Sequence, residues 1–127
     1  MPAYVVNIEQ KALSNENFRQ VLHTDQHSQL VLMSLLPKES IGVEVHEIVD
    51  QFIRIEQGTG KAILDGVEHP LKDGSAVVIP AGIKHNIINT SSTEKMKIYT
   101  VYSPAHHKDK TVHITKADAQ KDTTDHI

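Results

Sequence analysis

Cysteine is missing from this 127-residue chain, and with it disulfides, thiolate metal ligands and a thiol nucleophile. A strong charge of one sign is missing too. Thirteen Lys and Arg against 16 Asp and Glu leave a net charge of −3, which argues against an electrostatic binder of nucleic acid. No apolar run approaches the ~20 residues that a membrane-spanning helix needs. The Met1-Pro-Ala-Tyr4 start lacks the charged and apolar regions of a secretory signal, so the cytoplasm is the expected location. There is no glycine-rich phosphate loop and no G-x-S-x-G nucleophile turn. Neither nucleic acid nor membrane is therefore an expected partner. The groups left to carry chemistry are carboxylates, amides and imidazoles.

Histidine is what the chain has in quantity, nine in all. It is the commonest imidazole metal ligand and titrates near neutrality. The length suits one domain, and 39% apolar with 23% charged residues suits a globular one. Residues 14–22 read either as a short helix with Ser14 or Asn15 as N-cap or as an irregular lead-in. From Gln29 the pattern is β. Gln29–Leu36 is a nearly continuous apolar run ended by Pro37, and Ile41–His46 and Gln51–Gln57 alternate. Asp65-Gly66 supplies the positive-φ pair of a tight hairpin between Lys61–Leu64 and Val67–Leu71. Ser75–Ile79, Asn86–Thr90 and Met96–Tyr102 follow. Roughly eight short strands with frequent turns predict an all-β sandwich or barrel.

One stretch is more specific. Gly74-Ser-Ala-Val-Val-Ile-Pro80-Ala-Gly82-Ile-Lys-His85-Asn-Ile-Ile-Asn89 is a strand stopped by a proline, reversed at a glycine and followed by a histidine. Its spacing, G-x5-P-x-G-x2-H-x3-N, resembles the second signature of the cupin superfamily at every fixed position. The first signature, G-x5-H-x-H-x3,4-E-x6-G, is degraded. Anchored on Gly58, it puts Lys38 at the opening Gly, Glu44 and His46 at the two His positions and Gln51 at the Glu. The resemblance implies a jelly-roll barrel, the double-stranded β-helix, with one divalent transition metal (Zn, Mn, Fe or Ni) held by Glu44, His46, Gln51 and His85. Glu44 and His46 share a strand face because they are two apart. Asp50 rivals Gln51, since it fits the shorter spacing from His46 but misses Gly58 by one residue.

Asp50–Gly60, Tyr102-Ser-Pro104 and Thr111–Asp118 are similar to a group of small cupins called phosphomannose-isomerase-like. That group implies metal-dependent isomerase or epimerase chemistry on a sugar or sugar phosphate, of the mannose-6-phosphate isomerase type. An iron-dependent dioxygenase and a non-catalytic ligand-binding or sensor module are the alternatives. A shortage of Arg and Lys on the inferred inward faces, with Lys84 the nearest cation, counts against a sugar phosphate. Residues 1–26 are expected to join the barrel, 27–104 to form it and 105–127 to make a polar tail, docked through Val112 and Ile114 but without a part in the site. His106, His107 and His113 read as tail residues, and His23, His27, His69 and His126 as unremarkable. Tyr102 shares parity with Met96, Ile98 and Thr100 and is expected to face inward. Phe52 and Ile88 should face outward and favour a homodimer.

Overall fold

The computed structural model describes residues 2–125. Asp65 and Gly66 both adopt positive φ, 47° and 84°, the two-residue geometry whose twist suits a hairpin. They join β4 (Gly60–Leu64) to β5 (Val67–Leu71), with Leu64 opposite Val67. β7 (His85–Asn89) pairs with the other edge of β4, giving a sheet in the order β5-β4-β7. The preceding segment joins β7 through two isolated bridges, Ser40 to Ile88 and Glu44 to His85. Ile41–His46 is therefore not the continuous strand that its alternation predicts. Gly42 breaks the run with φ 104°, and its N–H donates to the Asn86 side chain instead of a ladder.

The larger sheet contains β1 (Arg19–Thr24), β2 (Gln29–Leu35), β3 (Asp50–Gln57), β6 (Ala76–Ile79), β8 (Met96–Ser103) and β9 (Val112–His113). Their order is β6-β3-β8-β2-β1-β9, and each neighbour runs antiparallel. This sheet takes in strands on both sides of the 27–104 span. Val31, Met33, Ile53, Ile55 and Ile98 from its inner face meet Ala62 and Ile87 from the smaller sheet in one core. The period-2 alternation of β3 and β8 carries that burial. Gly60 marks a close approach of β7 to β4 within the smaller sheet: a Cβ built there would lie 2.2 Å from the Ile88 carbonyl oxygen.

The helix falls earlier than the sequence suggests. α1 spans Ile8–Ser14, with Asn7 as N-cap accepting from the Gln10 N–H, and lies against β8, β2 and β3. Asn15 ends it. Its amide closes a local turn with both backbone groups of Asn17, so it cannot cap a following helix. Phe18 and Val21 are instead buried in the core, where pairing with β2 outweighs local helical propensity. In the tail, α2 (Lys116–Lys121) is opened by a capping box between Thr115 and Asp118. Among the described residues no helix is long and apolar enough to cross a membrane.

Candidate metal centre

Backbone pairing with β7 and its preceding turn aims the site. Glu44 and His46 lie two apart, and the bridge from Glu44 to His85 brings the 40–44 segment alongside β7. Across the larger sheet, Gln29, Tyr102, Gln51 and Ile79 form one inward row: Gln29 pairs with Tyr102, Tyr102 with Gln51 and Gln51 with Ile79. All four are buried, so Tyr102 faces inward as its parity predicts. His46 stands at the centre of an aromatic cluster. Its ring centroid is 5.0 Å from that of His85, 5.9 Å from Tyr102 and 4.3 Å from His106.

Ligand atoms of Glu44, His46 and His106 all lie within 4.8 Å of one another, and His46 Nε2 is 3.3 Å from Glu44 Oε2. His85 sits beside this group without belonging to it. Its Nδ1 lies 3.0 Å from the Ile83 carbonyl oxygen. A carbonyl only accepts, so Nδ1 carries the proton and Nε2 is the nitrogen able to bind a metal. Gln51 Nε2 donates to Thr100 Oγ1 at 3.0 Å, while its Oε1 is buried without a hydrogen-bond partner. A buried, unsatisfied carbonyl oxygen is costly, and this is the atom with which an amide binds a cation. Asp50 is otherwise engaged: it is exposed, and its carboxylate accepts from the Ala81 N–H, holding the Pro80–Gly82 turn. The nitrogen and oxygen donors, and the orphaned oxygen above all, fit a divalent transition metal.

Residues 31–102, more than half of the chain, match the family model described as the cupin domain. The chain belongs to the cupin family. It is 50% identical over 107 residues to the uncharacterised protein L612 of Acanthamoeba polyphaga mimivirus, covering 82% of this chain and 67% of that one. It is 47% identical over 122 residues to the uncharacterised protein YrkC of Bacillus subtilis (strain 168), covering 91% of this chain and 65% of the relative. The chain thus spans about two thirds of the length of these relatives. The crystal structure of BH2720 from Bacillus halodurans superposes with a TM-score of 0.93 at 38% identity, covering 95% and 96% of the two chains.

Beside the cupin core, the tail departs from expectation. His107 and His113 are buried rather than solvated, and His106 is half-buried against His46 and Tyr102. His113 Nε2 lies 3.0 Å from Asp122 Oδ2 and its Nδ1 3.2 Å from the Arg19 guanidinium. The inward cations that the sequence seemed to lack are Arg19 and Lys116. They line a cavity of about 230 Å³ together with Glu44, Phe18 and Asp125. A larger hollow of about 550 Å³ lies between Val43, Ile63, Asp65, Lys84, His85 and Asn86. It reaches His85 but none of the three clustered ligands, whereas the smaller cavity reaches Glu44. Burial pushes the Tyr102 phenol well above its usual value, against lesser opposing effects from Arg19 and the Gln51 amide. Tyr102 therefore stays a neutral hydroxyl at the site.

Proposed function

We propose that this cupin holds one divalent transition metal through Glu44, His46 and His106, with His85 and Gln51 as further ligands, and acts on a small oxygen-rich substrate. The observation that carries this reading is the convergence of three ligand atoms to within 4.8 Å. Zn, Mn, Fe and Ni all suit the donors. When bound, such an ion supplies Lewis-acid polarisation of a substrate carbonyl. Arg19 and Lys116 line the cavity beside Glu44 together with Asp125, so its wall carries both charges and suits the hydroxyls of a sugar. Aldose–ketose isomerisation or epimerisation is the chemistry that this arrangement favours. Two imidazoles and one carboxylate are also the ligand set of non-haem Fe(II) oxygenases, which makes a dioxygenase the second reading.

Elemental analysis after purification without chelator, followed by metal add-back, tests the centre. About one ion per chain is expected, and failure to retain or rebind any divalent metal would sink the reading. A screen of sugar phosphates and of oxygen uptake then separates the chemistries. Isomerisation supports the first, substrate-dependent oxygen uptake the second, and binding without turnover reduces the protein to a ligand-binding module.

A cytoplasmic homodimer is the assembly we favour. Phe52 and Tyr99 lie 6.3 Å apart on the outer face of the larger sheet, and Val78, opposite Phe52, is 70% exposed. A monomer by light scattering at micromolar concentration would refute the pairing.

A further inference from the structure

We propose that the segment from His106 to Asp125 is a latch that assembles the metal centre, with Gln29, His107 and Asp125 as positioning residues for His106. This rests on the metal-binding reading above.

His106 lies outside both signature stretches, some sixty residues beyond Glu44 and His46 along the chain. Nothing in local geometry brings it back, so its place depends on what holds residues 106 and 107. Two buried devices do so. Gln29, 1% exposed, accepts from the backbone N–H of His106 at 3.2 Å and of His107 at 3.0 Å. Its Nε2 donates to the His107 carbonyl at 2.7 Å and to Thr24 Oγ1 at 2.9 Å. A primary amide has two acceptor sites and two N–H groups, and Gln29 uses them all. Three of its four bonds grip this one dipeptide.

The second device is the His107 side chain. Its Nδ1 lies 2.8 and 3.0 Å from the two oxygens of Asp125. The carboxylate accepts, so Nδ1 is the protonated nitrogen. Its Nε2 is 3.3 Å from the Tyr102 hydroxyl, and Tyr102 stacks on His106 at 5.4 Å. Asp125 Oδ2 stands 3.9 Å from the Arg19 guanidinium. Arg19 thus meets Asp125 on one side and His113 on the other, so the middle and the far end of the latch close on β1. His107 and Asp125 are buried. A buried, hydrogen-bonded His–Asp pair holds its geometry, and here the geometry it fixes is that of His106. A metal that draws on His106 then favours the closed latch, and the closed latch favours the metal by the same factor.

The test uses the full chain and Co(II) as probe, with affinity read by calorimetry and geometry by the visible d–d spectrum. Wild type, His106→Ala and Asp125→Asn are compared, alongside amide hydrogen exchange of wild type at His106 and His107 with and without the metal. Both variants are expected to bind about 10–100-fold more weakly, as loss of groups supporting a ligand does. They should share one altered spectrum, although Asp125→Asn keeps every ligand. Exchange at His106 and His107 should slow on loading. Asp125→Asn binding Co(II) with wild-type affinity and spectrum would overturn the latch, and so would unchanged exchange in the wild type, a result that needs no variant to fold. Absence of Co(II) binding by the wild type overturns the metal-centre reading itself.

Discussion

Gly60 shows how a single position constrains the barrel. A Cβ there would come within 2.2 Å of the Ile88 carbonyl oxygen and 2.3 Å of Met96 Cε. The methionine end can move, but the carbonyl belongs to a paired strand and cannot move without cost. Gly60→Ala is therefore expected to destabilise the protein by roughly 1–3 kcal/mol, the usual cost of overpacking. Urea unfolding checks it, and an unchanged midpoint would refute the close contact. At this scale the sequence is legible where local chemistry decides the outcome. Pro80, Gly82 and His85 read correctly because a proline stop, a turn and a following strand are local events. The shared inward parity of Tyr102 and Thr100 follows from the period of a strand. Gln29 was read as the start of an apolar run, and its role as a clamp could not be read. Its partners lie 78 residues away, and an amide in a strand gives no sign of what it will grip.

At the scale of elements, α1 is fastened to β8 by charge. Glu16, just beyond the helix, accepts from Lys97 Nζ at 2.9 Å and pairs with Lys95. Hydrogen bonds from Lys95 and Lys97, with the attraction of Lys97, hold the Glu16 carboxyl down to about 2 from an ordinary 4.5. A carboxyl whose folded value lies below its unfolded one adds stability that is complete above the unfolded value and is lost as pH falls through the folded one. Glu16→Gln should therefore destabilise at neutral pH, with the difference from wild type shrinking below about 4.5 and gone below about 2. Glu16 is exposed, so added salt should shrink the effect as well. Denaturant midpoints across pH at low and high salt check both trends. α1 itself was hard to read, because Asn7 and Asn15 are both credible caps. The choice between them is made by Phe18 and Val21, which the core claims for β1 and the residue before it.

For the whole molecule, the cupin barrel was legible and its closure was not. Repeated short strands and an intact second signature suffice for the fold. A polar tail without its own core reads as an appendage, yet this one supplies β9, α2 and the buried His107, His113 and Asp125. Docking was expected through Val112 and Ile114, but both are exposed, and the anchoring side chains are polar. That is the kind of contact which hydropathy overlooks. Deleting residues 105–127 should consequently lower the melting temperature and weaken metal binding together. A truncated protein that melts and binds as the full chain does would show the tail to be dispensable.

The tail also lies along the outer edge of β1. Phe18 N–H donates to the Ile114 carbonyl at 3.0 Å and Val21 N–H to the Thr111 carbonyl at 2.9 Å, while Arg19 and Gln20 pair with His113 and Val112. An uncovered strand edge is a template for another chain, and proteins commonly shield such edges against aggregation. Residues 111–114 thus act as a guard on the sheet. If metal holds the latch shut, chelation should do more than silence a reaction: it should turn a well-behaved monodisperse protein into one that sticks to itself.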